Sequence, residues 1–422
     1  MTGPDYLYGM THWALLVLIG FCGCNNESNL ITPDDVYKAV FEQYPQSWYP
    51  IPFPLTGPAD NRFTAFDVAI LEFMLENKIP GASVVVYDGE HMYQKAFGWS
   101  DVESAVPVHP DSVFRTASIS KTITAAGILH LHREHKLEFE DKAVPLLQNA
   151  NILTDAVADS KLLDITLRDL LLHQGGWDED EHYDPMLRET TRRAIVLYAL
   201  EHPPAPSDIL RYAMRQPLRY FPGSRFSYSN MGYVLLGRVI ESTSNQTYET
   251  YIQDTLLIPN SLNSIQLGAT CAENALPSEV MYYELSSENT LSSVLQPDLE
   301  VLLPYGAFSL EVLDAAAGWT APASELALFA HIFYQEFATV LTNEAHWVDV
   351  NDQGLHYGLG LFRSQASDHT YYWHSGSMSG TLSLICITQS GQTAVVLMNA
   401  RPEKWQGSDR ILLETLLACD LF

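Results

Sequence analysis

Basic residues are scarce in this chain: Lys and Arg number 23 against 51 Asp and Glu, for a formal charge of -28. A surface of that sign repels nucleic-acid phosphates, and no basic run offers a local exception, so nucleic acid is not an expected partner. An acidic substrate would need a dedicated cationic pocket. Cysteine is as thin, with 5 in 422 residues. Two of them, Cys22 and Cys24, stand beside an N-terminal apolar run. Cys271, Cys386 and Cys419 are then too few for a disulfide framework to organise the fold, and Cys386, inside LSLICIT, reads as a small core side chain. No Gly-x-Gly-x-x-Gly fingerprint, Walker lysine loop or HExxH motif is present, so neither a cofactor nor a metal is expected. The tightest histidine cluster, His130, His132 and His135 in HLHREH, reads as surface or packing residues on a helix, and His173 as structural near a cleft. No repeat of 20 to 50 residues is visible, which excludes a solenoid or propeller.

No apolar run approaches the roughly 20 residues of a transmembrane helix. The run at 13–21 (WALLVLIGF) has instead the length of a signal-peptide core. FCGC at its end resembles a bacterial lipoprotein processing box, with Cys24 as the lipidated first residue and Met10 as a candidate start. No Lys or Arg precedes the run, and Phe21 stands where such boxes carry Leu. The expectation is an exported protein, periplasmic or held at the outer membrane by its lipid, with ordinary secretion or a misassigned N-terminus as alternatives. Residues 1–24 would be the signal peptide and 25–61 a proline-punctuated linker.

The remainder is rich enough in apolar residues, 47% overall with 11% aromatic, to bury a large core. An apolar face over 64–77, stopped by Pro80 and Gly81, predicts a helix. ASVVVYDGEHMYQKAF predicts a hairpin with strands at 82–87 and 91–97 around Asp88-Gly89. Helices are predicted from Ser118 onward, over LDITLRDLLLH, TTRRAIVLYAL and YVLLGRVIESTSN, and over SELALFAHIFYQEF. Residues 262–305 hold neither period for long and read as a long loop with short helical pieces. Strands return at 370–373, 381–388 and 393–398, and a helix closes the chain at 409–417. Early and late strands would pair in one antiparallel sheet flanked by helices, an α+β fold with a mostly helical lobe inserted between them. The boundaries are an α/β lobe at about 62–117 and 340–420 and a helical lobe at about 118–339, together forming a catalytic domain over 62–420.

Three short stretches carry candidate chemistry. In SISK, Ser118 and Lys121 stand at i and i+3, so on a helix the amine can reach the hydroxyl. Ser118 at the helix start would also sit among free N–H groups that favour an oxyanion. Ser120 is a rival by composition, but it neighbours Lys121 directly and points away from it. In GSRFSYSNMGY, Tyr228 and Asn230 would share a side of an extended segment, where a phenol can relay a proton and an amide can orient an amine and a carbonyl; core packing and capping are the alternatives. In HSGS, His374 could lend charge or a hydrogen bond beside an acyl group, Gly376 could let a substrate backbone approach, and the Ser377 N–H could complete an oxyanion hole.

In this order and spacing, SISK, YSN and HSG resemble the penicillin-recognising serine hydrolases: class C β-lactamases, DD-peptidases and related serine esterases. FRTASISKTITA, ITLRDLLLHQGGW, FPGSRFSYSNMGYVLLGRVIE, AAAGWTAPASELALF and YGLGL extend the likeness from about residue 70 to about residue 400. The resemblance implies a β-lactamase/transpeptidase-like fold with its site between two lobes. It also implies Ser118 as acylated nucleophile, Lys121 as its activating partner, Tyr228 as proton relay, Asn230 as orienting amide, His374 at the head of the third motif, and the amides of Ser118 and Ser377 as oxyanion hole. Whether Lys121 or Tyr228 is the principal base stays open. Many β-lactamases have Lys-Thr-Gly where this chain has His374-Ser375-Gly376, as some DD-peptidases and aminopeptidases of the family do. The expectation is therefore a serine esterase or D-amino-acid peptidase-like hydrolase acting on small esters, amides or peptides. Alternatives are a β-lactamase and a non-catalytic peptidoglycan- or envelope-binding protein on the same fold.

Overall fold

The computed structural model describes residues 32–43, 53–178, 188–200, 203–351, 354–366, 369–419 and 421. The expected signal peptide, with Cys24, lies outside them. Its strands are β1 (Leu55–Thr56), β2 (Gly81–Tyr87), β3 (Met92–Asp101), β4 (Val106–Pro107), β5 (Val113–Arg115), β6 (Gln266–Leu267), β7 (Thr290–Ser292), β8 (Glu300–Leu302), β9 (Trp319–Pro322), β10 (Val348–Asp349), β11 (His356–Gly358), β12 (Leu361–Ala366), β13 (His369–Met378), β14 (Thr381–Thr388) and β15 (Thr393–Met398). The helices that matter below are α1 (Pro33–Gln43), α2 (Thr64–Asn77), α3 (Ser120–Arg133), α4 (Asn230–Ser244), α5 (Asp314–Ala317), α6 (Ala323–Leu341) and α7 (Ser408–Leu417).

One antiparallel sheet runs β1-β3-β2-β15-β14-β13-β12-β11-β10, with β4 attached to β3. The N-terminal hairpin therefore pairs with the C-terminal strands, through Val85↔Val395 and its neighbours. Alternation along these strands feeds both faces. Val84, Val86, Leu384, Cys386 and Val396 pack under α2 and α7, while Val85, Ile385, Ile387 and Val395 face α6 and the helical region. Among the described residues no helix is long and apolar enough to cross a membrane.

Three expectations change. The stretch read as linker carries α1, because Tyr37 and Val40 are buried and the Tyr37 hydroxyl donates to Asp67 of α2 at 2.5 Å. Helix α6, assigned to the helical lobe, packs on β2, β14 and β15, so its apolar face belongs to the sheet. Residues 262–305 form β6, a β7–β8 hairpin and 3-10 turns at Ala272–Asn274 and Leu303–Tyr305. This segment is tied down by Arg115 of β5: its guanidinium donates to the carbonyls of Pro304 at 2.5 Å and Ala269 at 2.9 Å, and its backbone N–H donates to the Tyr282 hydroxyl at 2.7 Å.

Helix α3 runs through the helical region, and a Cβ on its Gly127 would meet Ile252 at 2.7 Å and Ile240 at 2.8 Å. His130, His132 and His135 lie at the far end of this helix. The first bonds the Tyr251 hydroxyl at 3.1 Å, the second stacks on Phe139, and the third sits in the turn beyond with φ 57°.

Candidate active site

Strand β5 ends at Arg115, and the chain turns through a 3-10 turn, Ala117–Ile119, before α3 begins. Ala117 adopts φ 48°, a left-handed conformation that residues with a Cβ occupy at a cost of about 1–3 kcal/mol. The surroundings hold it there. Thr116 donates its N–H and its hydroxyl to the Trp319 carbonyl at 2.9 and 2.8 Å, and its own carbonyl accepts from Ser383 Oγ of β14 at 2.8 Å. From β13, Gly376 presses on the same turn: a Cβ there would stand 2.2 Å from the Thr116 oxygen and 2.9 Å from the Ala117 Cβ. The bare face of Gly376 is thus filled by the protein's own turn.

Ser118 is half-buried on this turn, whereas Lys121 is fully buried. The Lys121 ammonium has three donor directions, and each meets an acceptor: Ser118 Oγ at 3.1 Å, Asn230 Oδ1 at 2.7 Å and the Ala316 carbonyl at 2.9 Å. The Tyr228 ring lies 4.8 Å from Nζ, close enough for a cation–π contact. Ser120 is fully buried on another side of the helix, its hydroxyl accepting from the Trp319 N–H at 3.1 Å and bonded to Thr116 Oγ1 at 3.2 Å. The i, i+3 spacing therefore pairs Ser118 with Lys121 in space.

Asn230 opens α4, whose N-cap is Ser229. The Ala316 carbonyl is held from the same helix. Arg238 of α4, 3% exposed, donates to Asp314 Oδ2 at 2.5 Å, and Asp314 Oδ1 accepts from the Ala315 N–H at 2.6 Å. The Ala315 carbonyl accepts from Thr124 of α3 at 2.6 Å. One helix thus supplies one acceptor for Lys121 directly and fixes the other through a buried ion pair. Nothing in the sequence marks a backbone carbonyl as functional, and Arg238 and Asp314 lie too far apart in the chain for their spacing to reveal them.

His374 is buried on β13. Its Nδ1 stands 2.6 Å from the Ser375 carbonyl oxygen, which can only accept, so the proton sits on Nδ1, and Nε2 lies 3.3 Å from the Tyr357 hydroxyl. Burial, reinforced by the Lys121 charge, pushes its pKa down to about 3. Of the two expected contributions, charge or a hydrogen bond beside an acyl group, the charge is absent: His374 is neutral, and its only N–H is spent within its own strand. Tyr357 of β11 also bonds Tyr233 at 3.2 Å, and the Tyr233 hydroxyl donates to the Leu171 carbonyl at 3.2 Å. Sequence reasoning passed over both tyrosines, although Tyr357 opens the YGLGL stretch. Strand β12 pairs with β13 only as far as Trp373. Beyond it, among the described residues, the edge from His374 to Met378 has no strand partner on that side. Ser377 lies on this stretch, and its Oγ is buried without a hydrogen-bond partner.

The chain and its fold have counterparts among known proteins. The probable fimbrial assembly protein FimD of serogroup H1 from Dichelobacter nodosus is 23% identical over 350 residues, covering 82% of this chain and 80% of that protein. Protein flp of Staphylococcus aureus strain N315 is 26% identical over 228 residues, 54% of this chain and 42% of its own. Among solved structures, the D-amino acid amidase of Ochrobactrum anthropi SV3, complexed with L-phenylalanine amide, superposes with a TM-score of 0.66 at 16% identity over 85% of this chain and 98% of that one. The penicillin-binding protein homologue from Pyrococcus abyssi superposes with a TM-score of 0.63 at 24% identity, covering 84% and 78%. At these identities the structural matches speak for the fold. The Beta-lactamase family model matches residues 62–417, and this chain belongs to that family.

Proposed function

We propose that the protein is a serine hydrolase that forms an acyl-enzyme at Ser118 on ester or amide substrates, as an esterase or D-amino-acid peptidase-like enzyme. Membership of a family related to serine-hydrolase-type enzymes supports a hydrolase role. The observation that carries the finer reading is the placement of Lys121 Nζ 3.1 Å from Ser118 Oγ, with its other two directions taken by Asn230 and Ala316.

In the neutral amine, two N–H groups point to the fixed carbonyl oxygens and the lone pair faces the serine hydroxyl. As Ser118 Oγ bonds to the substrate carbonyl carbon, its proton passes to Lys121, directly or by way of Tyr228. The resulting ammonium meets two carbonyl dipoles and a ring face. The amides of Ser118 and Ser377 would hold the oxyanion. The proton then goes to the departing alkoxide or amine, and water cleaves the ester at Ser118 by the same route in reverse. Asn230 orients the amine throughout.

Buried, neutral His374 argues against the β-lactamase alternative, because it offers no cation for a β-lactam carboxylate. A non-catalytic envelope-binding role would leave the serine–lysine pair without use. The export and lipidation reading rests on the N-terminal motif alone; metabolic palmitate labelling lost in Cys24→Ala would support it.

The test is labelling by a fluorophosphonate or penicillin probe. Labelling should be abolished in Ser118→Ala. It should persist in Ser120→Ala, which loses a buried hydrogen bond and about 1–3 kcal/mol of stability. Failure of every acylating probe on folded protein would overturn the proposal. A panel of short acyl esters, nitrocefin and D-Ala-D-Ala peptides ranks the substrate classes, and selective nitrocefin turnover would reverse the preference against β-lactams.

A further inference from the structure

We infer that His173 is a positioning residue for the site, gripping the segment that carries Tyr228 and Asn230 and so setting the phenol and amide beside Lys121. The inference rests on the acyl-transfer reading above.

His173 follows the short helix Leu167–Leu171 and holds φ 55°, another left-handed residue with a Cβ. It grips the chain on both sides of Tyr228. Its backbone carbonyl accepts from the Ser227 N–H at 2.8 Å, and its Nδ1 accepts from the Ser229 N–H at 3.0 Å. A backbone N–H can only donate, so Nδ1 is the lone-pair nitrogen and the ring proton is on Nε2. The ring also lies against Tyr228, centroids 4.3 Å apart at 38°. Ser229 caps α4 by accepting from the Gly232 N–H at 3.1 Å, so a fixed Ser229 fixes the first residue of that helix, Asn230.

Packing alone does not account for an imidazole here. His173 is 1% exposed, and its Nε2 is buried without a hydrogen-bond partner, a penalty that phenylalanine would avoid in the same space. What phenylalanine lacks is the acceptor at Nδ1. The titratable groups around the ring are Lys121 and His374, which act on it electrostatically, and Tyr228, Tyr233 and Tyr357, whose rings touch it. Burial and the two neighbouring basic groups hold its pKa well below the ordinary histidine value. Protonation would put a hydrogen on Nδ1 and break the bond to Ser229.

Two substitutions separate positioning from packing. His173→Phe keeps the ring and removes the acceptor; His173→Asn removes the ring and places Oδ1 where Nδ1 stood. On the best acyl ester, His173→Phe should lower kcat about 10- to 100-fold, the scale of a misplacement of about 1 Å, with KM changed less than about 3-fold and the pH profile of kcat/KM altered. His173→Asn should recover kcat to within about 5-fold of the native enzyme. Native kcat and pH profile in folded His173→Phe, or a His173→Asn no better than His173→Phe, would overturn the inference. Should His173→Phe not fold, His173→Asn decides alone by that 5-fold criterion. NMR of the native protein gives a readout independent of turnover: a coupling between the Ser229 amide and a proton-free His173 Nδ1 is expected, and a protonated Nδ1 refutes the grip. If the folded enzyme takes no acylating probe and hydrolyses no ester, amide or peptide, the functional proposal fails, while this coupling and the Tyr228 ring resonances in His173→Phe still decide the positioning role.

Discussion

Gly376→Ala puts one methyl group where β13 touches the turn that carries Ser118. The new Cβ would stand 2.2 Å from the Thr116 carbonyl oxygen, 2.3 Å from Ser383 Oγ and 2.9 Å from the Ala117 Cβ. Two of these neighbours are already fixed: the Thr116 carbonyl accepts from Ser383, and Thr116 is bonded to Trp319. Relief to an ordinary contact requires a shift of about 1 Å, and overpacking of this kind costs about 1–3 kcal/mol. The shift falls on a turn whose next residue is Ser118, so the reactive oxygen moves relative to Lys121, a displacement that lowers acylation about 100-fold. Thermal unfolding gives the stability change, and the second-order rate of fluorophosphonate labelling gives the loss at the site. Gly354→Ala is the control: Gly354 also has a positive φ, 77°, but a Cβ there meets nothing within 4 Å. It should lose some stability to backbone strain and label at the native rate. A Gly376→Ala protein that melts and labels as the native one does would refute the claim that β13 positions the turn.

Asp314→Ala takes from buried Arg238 one of its two carboxylate partners, leaving Glu241 at 2.9 Å, and frees the turn bearing the Ala316 carbonyl; a loss of about 1.5–3 kcal/mol is expected by urea unfolding, with slower labelling, and a loss under about 1 kcal/mol would count against it. Burial and the Lys121 charge hold His374 at about pKa 3 in the fold, against about 6.5 in the unfolded chain. The unfolded state therefore takes up the proton first on acidification. The contribution of His374 is complete above about pH 6.5, falls by about 1.36 kcal/mol per pH unit below that, and is lost once the pH passes about 3. Between pH 6.5 and 5, His374→Asn should thus lose about 2 kcal/mol less unfolding free energy than the native protein; equal losses would contradict a buried neutral imidazole. Tyr37→Phe removes the α1 hydroxyl that donates to Asp67 and accepts from Lys95 at 3.0 Å, and should cost about 1–3 kcal/mol with no change in labelling rate.

What the sequence makes legible here is what repeats locally. The apolar face of α2 gives its bounds, and the Asp88-Gly89 turn between alternating strands gives the β2–β3 hairpin, as found at Gly81–Tyr87 and Met92–Asp101. The strands at Thr381–Thr388 and Thr393–Met398 follow from apolar runs buried on both faces. Helix α1 escapes because its sequence is polar and two buried residues, Tyr37 and Val40, anchor it. The stretch 262–305 escapes because its order comes from partners far along the chain, Arg115 foremost. The site divides in the same way. Ser118 and Lys121 are visible because three residues separate them. The Ala316 carbonyl, the Arg238–Asp314 pair and the grip of His173 on the chain around Tyr228 are tertiary facts that no spacing encodes. His374 shows a further limit, since its residue type leaves charge and neutrality both open and its burial decides for the neutral ring.

The central claim is that Ser118 is acylated with the help of Lys121. The direct measurement is the mass of the intact protein quenched during turnover of an activated acyl ester, followed by fragmentation of the tryptic peptide covering residues 116–121, TASISK. The account predicts one acyl group, on Ser118 and not Ser120, accumulating in the native enzyme and undetectable on the same timescale in Lys121→Ala. Turnover without any adduct, an adduct on another residue, or equal acylation in Lys121→Ala would contradict it.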